Sequence, residues 1–402
     1  MSSLSAYHRR LFVFLSVASF FEGFDYYALA QLLPEIRAAF SLSVSQGTQL
    51  ASFVNLGMVL SFFLARQADR FGRSRLLVWT LSGYMACTGL SALAQTAWQF
   101  GLCQLLARLF QSAEVATVMV FAAEEFPKER RGFVLGVIQG QSALGAIVCA
   151  GVTPFLVGTR LGFRTVYVVG SLPLLLVLYL RRNVRDSARF QPVDKSQRLP
   201  LLRLVQSRYL PRLLLLSAIW AGTMFCTQSA ILFFKDFAVT VRGFTNEQVA
   251  HMLTIAAAGS LPLGFGVGKV LDVLGRRLST VLVFGLSIGG LCISYTDASG
   301  PVLTVGLWLG IAGTTCMLAV LQTLTTELFP THIRAEAFGV AGNLIGKFAG
   351  VVSPLCVGML SLHIGYGRAV QATALGPFLA LVLILVFVTE TKGKDLDETS
   401  AL

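Results

Sequence analysis

Asp69-Arg70-Phe71-Gly72-Arg73 and Asp272-Val273-Leu274-Gly275-Arg276 stand 203 residues apart and write the same charged turn twice. The same shift carries Glu124, Pro127 and Arg131 onto Glu327, Pro330 and Arg334, and Gly162 onto Gly365. A constant offset over separated landmarks means one half-molecule written twice, and such a repeat must be read before any local feature. The fold has to join two like units, each about half of the chain.

The units are made for lipid. Hydrophobic residues make up 55% of the sequence and charged residues 13%, far from the balance of a soluble domain. A soluble enzyme is excluded on that ground. Apolar runs near 11–33, 47–67, 76–96, 98–121, 133–157 and 164–180, then 210–234, 248–270, 278–296, 301–325, 336–360 and 366–388, reach the roughly 20 residues that a helix needs to cross a bilayer. Six spans fall in each repeat. Their length and glycine content, without period-2 alternation, predict helices rather than a β-barrel. The expected fold is an all-α membrane protein with twelve transmembrane helices in two pseudo-symmetric six-helix bundles. Its expected parts are an N-terminal bundle at 1–180, a basic linker at 181–209, a C-terminal bundle at 210–390 and a tail at 391–402. The first run follows His8, Arg9 and Arg10 but is too long for a signal peptide and holds Glu22 and Asp25, so it reads as a retained helix.

With both termini in the cytoplasm, 24 of the 32 Lys and Arg residues fall on inside loops and 6 on outside loops, while Arg108 and Lys347 lie within spans. That asymmetry is the positive-inside signal. It also accounts for the net charge of +12 without a nucleic-acid partner, because the basic stretch from Arg181 to Arg212 lies beside anionic headgroups. Short outside loops and the absence of an N-x-Ser/Thr sequon fit a bacterial inner membrane. The seven cysteines lie in or at the edges of spans and are read as small buried apolar groups, and the four histidines are scattered, so neither a metal nor a cofactor is expected. Gly264, Gly266, Gly268 and Lys269 imitate a phosphate loop, but Leu263 and Val270 stand where it requires Gly and Ser/Thr.

The duplicated loop, the six-plus-six spans and the basic central linker resemble the major facilitator superfamily. In the second copy Gly268, Asp272, Gly275, Arg276 and Arg277 keep the family pattern, whereas the first has Ala65 and Gln67 for its glycine and leucine. Glu125-Phe126-Pro127 with Arg131-Gly132 and Gln139, the degraded linker motif Asp186-Ser187-Ala188-Arg189, and Glu390-Thr391-Lys392-Gly393 resemble the sugar porter and organic ion branches. The resemblance implies a cytoplasmic gate in which Asp69, Arg73, Glu125 (or Glu124), Arg131, Asp272, Arg276, Glu327, Arg334 and Glu390 join in a salt-bridge network.

Charges inside the membrane cost about 2.5–3.5 kcal/mol each on insertion scales and so mark cavities and partners. Glu22, Asp25, Arg108, Glu114 and Lys347 are such residues. Glu22-Gly23-Phe24-Asp25 puts two carboxylates three residues apart, expected on one helix face. It resembles the paired-acid motif of aromatic acid/proton symporters, and Arg108 with Gln111 resembles the span 4 arginine of proton-coupled members. The expectation is that Asp25 takes and releases a proton while an ion pair with Arg108 senses its charge, with Glu22 and Glu114 in the same group. A permanent structural Asp25–Arg108 pair is the competing reading. Lys347 with Arg108 would hold a carboxylate substrate, or Lys347 would simply partner Glu114. Gln139, Tyr26, Tyr27, Phe225 and Gln228 are the further candidates for the substrate pocket; Phe21 and Phe24 are aromatic neighbours of the same stretch.

The leading expectation is a monomeric secondary transporter that works by alternating access and moves a small organic anion with protons. A carrier of sugars, organic cations or drugs, including a proton antiporter, is the alternative on the same fold. A receptor or sensor that binds without transporting is the alternative of another class. Span 7, Gly222-Thr223-Met224-Phe225-Cys226-Thr227-Gln228, lacks the paired glutamines and asparagine of sugar porters.

Overall fold

The computed structural model describes residues 6–65, 73–126, 128–173, 209–329, 331–388 and 390 of the 402-residue chain. The first copy of the charged turn from Asp69 to Gly72, the linker motif at Asp186, nearly all of the 181–209 linker and the tail from Thr391 lie outside the described residues. Each of the twelve expected spans contains a helix among the described residues, and eight helices there are long and apolar enough to cross a membrane. The chain divides into two compact units, Met1–Leu42 with Phe53–Gln197, and Ser43–Ser52 with Arg198–Leu402.

In the first unit the helices are α1 (Ala6–Ala39), α2 (Val44–Ala65), α3 (Arg73–Ser91), α4 (Ala97–Glu125), α5 (Lys128–Val157) and α6 (Arg164–Ser171). The first turns of α2 group with the second unit, where Ser52 Oγ donates to Val351 O at 2.6 Å. Most of these helices outrun the apolar runs that announced them, because such a run marks only the hydrocarbon-facing stretch. Each helix continues until local chemistry stops it. α1 ends at Ser41, which takes φ 53° while Leu42 N–H closes on Arg37 O at 2.8 Å, a left-handed cap. α2 begins with a capping box, Gln46 N–H on Ser43 Oγ at 3.2 Å and Ser43 N–H on Gln46 Oε1 at 2.9 Å. Thr96 and Gln99 start α4 in the same way.

The second unit holds α7 (Leu210–Leu232), α8 (Phe234–Thr240), α9 (Asn246–Leu274), α10 (Arg276–Ser294), α11 (Gly300–Leu328), α12 (Thr331–Phe338), a π-helical segment Gly339–Gly346, α13 (Lys347–Ile364), α14 (Tyr366–Ala372) and α15 (Leu375–Phe387). Three of the expected continuous spans are therefore interrupted. The run 210–234 breaks at Phe233, the run 366–388 breaks at Thr373 and Ala374, and the run 336–360 loosens into a π-helix where three glycines occur in eight residues. Glycine weakens the α-helical preference at that point. Hydropathy could not show such breaks, because it does not change across them.

The repeat is visible in the backbone. Gly162 and Gly365 both take positive φ, 59° and 84°, each turning the chain into the next helix. Thr245 and Gln248 cap α9 with the same box that Ser43 and Gln46 place on α2. Phe126 and Phe329, related by the 203-residue shift, are both fully buried. Each anchors a core of its own unit, one built around Leu15, Leu81, Tyr84 and Phe121, the other around Leu216, Met317, Leu321 and Ile384. The cysteines follow expectation only in part: Cys149, Cys226 and Cys316 are buried, but Cys87, Cys103, Cys292 and Cys356 are half-exposed, as side chains near lipid are.

Candidate proton and substrate site

The first unit concentrates charge where α1 crosses α5. Gly23 and Gly145 let the two helices touch: a Cβ on Gly23 would lie 1.9 Å from Ser142 O, and one on Gly145 1.9 Å from Phe20 O. No larger residue fits there without separating the helices. The crossing delivers Ser142 Oγ to Glu22 Oε2 at 2.7 Å. Asp25 turns elsewhere. Thr88 Oγ1 of α3 donates to its Oδ2 at 2.8 Å, and its Oδ1 faces Gly170 of α6, where a Cβ would be 3.3 Å away. That Oδ1 is buried with no hydrogen-bond partner among the described residues.

The two acids share a side of α1 but meet different neighbours. Three residues advance a helix by about 300°, leaving roughly 60° between side chains. That is enough for each carboxylate to reach the nearest hydroxyl on a different neighbour.

Arg108 departs further from expectation. Among the described residues it forms no ion pair with Asp25; its Nη1 and Nη2 donate to Tyr26 O at 3.3 and 3.2 Å, and Nη1 also to Gln111 Oε1 at 3.3 Å. Its guanidinium carbon lies 4.3 Å from the centre of the Tyr26 ring, within cation–π range. Gln111 completes the clamp by donating to Glu22 O at 2.8 Å. Arg108 therefore grips the α1 main chain at Tyr26, next to Asp25 and one turn beyond Glu22, close enough for its charge to act on both. Glu22, Asp25, Arg108 and Glu114 are 8%, 4%, 6% and 1% exposed, so four charged side chains are withdrawn from solvent within one unit. Tyr27 packs edge-on against Tyr26 at 5.5 Å, and both are half-buried.

The structure does not bring Gln139 into this group by any contact of its own; it is exposed on α5, one turn before Ser142. The sequence reading missed Thr88, Ser142 and Gly170. The available signal was small polar or small residues inside otherwise apolar runs, which do not stand out as charges do.

In the second unit Lys347 is the first residue of α13, at the junction with the π-helical segment, and is half-buried. One turn on, Gly350 lets Gln228 of α7 lie against it, with a would-be Cβ 2.8 Å from Gln228 Cγ. Phe225, one turn earlier on α7, is half-buried and accepts a hydrogen bond from Ser353 Oγ at its carbonyl. Gln228 and Phe225 therefore line the α7–α13 seam, with Lys347 one turn before Gly350 on α13. The 203-residue shift maps Asp25 onto Gln228, so the charged position of one repeat is neutral in the other.

The second charged turn is built around Arg276. Its Nη2 and Nε donate to Glu327 Oε1 at 2.8 and 3.1 Å, and its Nη1 to Leu271 O at 3.2 Å. Glu390 was expected to join by a side-chain salt bridge. Its carboxylate accepts from main-chain amides, Arg276 N–H at 2.8 Å on Oε1 and Arg277 N–H at 3.0 Å on Oε2. A carboxylate on the first two amides of α10 is a helix cap, favoured by the partial positive charge at that end. Glu125 accepts from His8 Nε2 at its carbonyl over 3.1 Å. Asp69 and the side chains of Glu124, Arg73, Arg131, Asp272 and Arg334 lie outside the described residues.

Known proteins share both the sequence and the fold. The chain is 28% identical over 384 residues to the probable 4-methylmuconolactone transporter of Cupriavidus pinatubonensis, covering 92% of this chain and 88% of that one. It is 27% identical over 400 residues to the cis,cis-muconate transport protein of Acinetobacter baylyi, covering 94% of each. Among solved structures, a D-xylose-proton symporter superposes with a TM-score of 0.79 at 20% identity over 97% of this chain and all of that one, a likeness of fold. Residues 15–354 match the Major Facilitator Superfamily profile. The duplicated turn, the paired helical units and that match identify the chain as a member of the Major Facilitator Superfamily, a multi-pass membrane transporter of a small-molecule substrate rather than an enzyme.

Proposed function

We propose that this transporter carries a small organic carboxylate together with protons by alternating access, as a monomer in a bacterial inner membrane with both termini in the cytoplasm. The observation that carries the reading is the α1–α4 clamp: Arg108 fixed on Tyr26 O, next to buried Asp25 and one turn from buried Glu22, with one Asp25 carboxylate oxygen unpartnered among the described residues. A free, buried carboxylate oxygen is a natural proton acceptor, because a proton removes the charge that burial penalises. When Asp25 is charged it attracts Arg108; when it is protonated the guanidinium is left to its bonds with Tyr26 O and Gln111. That difference is what couples proton occupancy to the state of the bundle. Glu22, Glu114 and Arg108 share the proton-handling role; Lys347, Gln228 and Phe225 of the second unit, and Tyr26, Tyr27, Gln139 and Arg108 of the first, are the candidates for substrate contact, each within its own unit.

Relatives that carry muconate and a muconolactone support a carboxylate as cargo. So does Lys347, a cation one turn before the Gly350 that packs on Gln228. The gate reading extends to Asp69, Arg73, Glu125, Arg131, Asp272, Arg276, Glu327, Arg334 and Glu390, with the halves 1–180 and 210–390 as its moving parts. The test is counterflow in proteoliposomes loaded with cis,cis-muconate, benzoate, xylose or choline. Carboxylates alone should drive exchange of their labelled counterparts, and binding without exchange would point to a receptor. A second reading, an organic cation as cargo, is favoured by three buried acids against one buried arginine among the described residues of the first unit. Choline exchange without carboxylate exchange would select it.

A further inference from the structure

The run 336–360 holds one residue too many for a continuous α-helix. Over Gly339–Gly346 the chain winds as a π-helix, and Lys347 N–H donates back to Gly342 O, five residues away. Such a turn contains one residue more than the α-turn it replaces. Both flanks are fixed. Ile333 and Ala337 of α12 are buried in the core of the unit. On α13, Gly350 would place a Cβ 2.8 Å from Gln228 Cγ, and Ser353 Oγ lies 2.6 Å from Ser229 Oγ. The extra residue is held between two packed helices, neither of which can turn as a whole to absorb it.

Trp220 of α7 marks where the π-turn rests. The side chain is 4% exposed, its Nε1 donates to Thr325 Oγ1 of α11 at 3.1 Å, and Phe338 meets its ring edge-on at 5.5 Å. Gly342 and Gly346 lie against it, with would-be Cβ atoms 3.4 Å from its ring and from its own Cβ. Gly346 has a second reason to be glycine: a Cβ there would sit 3.2 Å from Ala341 O, five residues back, a contact that the π winding itself creates. Alanine at these positions would therefore favour α winding, which it also prefers intrinsically over glycine. A π-turn between fixed flanks keeps one freedom, to move along the helix. Each residue it passes turns by about 100° around the axis, the rotation of one α-helical residue. Lys347 is the first residue beyond the turn, and only Phe348 and Ala349 separate it from the contact at Gly350.

We propose that the π-turn is a moving part of the transport cycle, with Trp220 as the positioning residue that holds its resting place. Its passage over Lys347 swings the ammonium group around the axis of α13, so that the cation is presented to the substrate in one winding and withdrawn in the other. The proposal rests on the reading of Lys347 as the carboxylate-binding cation and adds how that cation lets its cargo go.

The experiment removes the extra residue. Deleting Val340 closes the turn to α and leaves both flanks in register. Hydrogen–deuterium exchange of the full-length protein in lipid nanodiscs should show wild-type amides of Gly339–Gly346 exchanging about 10-fold or more faster than those of α13, a contrast that the deletion variant loses. That variant should bind labelled cis,cis-muconate as wild type does, while its counterflow falls by about 10-fold or more. The full-length double variant Gly342→Ala/Gly346→Ala should show the same split, and it decides the matter if the shortened chain does not fold. Equal exchange over Gly339–Gly346 and α13 in wild type would overturn the moving turn. So would wild-type counterflow in the variants, or binding and counterflow that fall together in both. If wild type binds no cis,cis-muconate while the exchange contrast is present and is lost in the variants, the cargo reading falls and the mobile turn stands.

Discussion

Thr88 Oγ1 donates to Asp25 Oδ2 at 2.8 Å and leaves Oδ1 of the same carboxylate facing Gly170. One oxygen is held and the other has no hydrogen-bond partner among the described residues, so the group is positioned without being neutralised. Gly170→Ser tests this directly, because its Cβ would sit 3.3 Å from Oδ1 and its hydroxyl would donate to the free oxygen. A donor on that oxygen favours the charged carboxylate. Expected is a loss of pH-driven uptake of about 10-fold or more, equivalent to roughly 1.4 kcal/mol, with exchange at equal pH retained. Radiolabelled uptake at two external pH values reads both.

The α1–α5 crossing should tolerate no side chain. Gly145→Ala brings a methyl to 1.9 Å from Phe20 O, so the helices must part and the Ser142–Glu22 bond with them. Overpacking of this kind costs about 1–3 kcal/mol. Gly136→Ala on the same helix meets nothing within 4 Å and serves as the control. Thermal unfolding in detergent should drop for the first and stay level for the second.

Glu390 is expected to contribute as a cap. Glu390→Ala removes the acceptor of two α10 amides and should cost about 1 kcal/mol, whereas Glu390→Gln should cost less, since the amide oxygen still accepts. If the two substitutions lower the unfolding midpoint equally, the charge rather than the bond is what matters there.

Lys347→Gln should weaken binding of a carboxylate by about 10- to 100-fold, the range of a charge-assisted hydrogen bond of roughly 1.5–3 kcal/mol. Equilibrium binding of labelled cis,cis-muconate to purified protein measures it. Unchanged carboxylate affinity would remove Lys347 from the substrate site and strengthen the organic-cation reading.

The architecture was legible because it depends on properties that a sequence displays directly: run length, loop charge and a constant offset. Which charges would be buried was legible only in part. Glu22, Asp25, Arg108 and Glu114 are withdrawn from solvent and Lys347 is half-buried, but the buried Lys235 and Asp236 of α8 were not foreseen, because they sit at the edge of an apolar run. The partners of the charged groups were not legible. Arg108 chose the Tyr26 carbonyl over the Asp25 carboxylate, and Glu390 takes two main-chain amides at the start of α10. Main-chain groups are present at every position and leave no mark in a sequence, so a side chain that prefers them cannot be anticipated from residue identities. The breaks at Phe233 and across Gly339–Gly346 were hidden for a related reason, since they change hydrogen-bond register without changing hydropathy.

Proton coupling through Asp25 is tested most directly by recording proton flux and labelled cis,cis-muconate uptake together in proteoliposomes of wild type and Asp25→Asn. Wild type should draw protons in with substrate and accumulate it above the external concentration when the outside is acidic. The variant should exchange internal for external substrate but neither move protons nor accumulate. Uphill, proton-linked accumulation by Asp25→Asn would contradict the assignment.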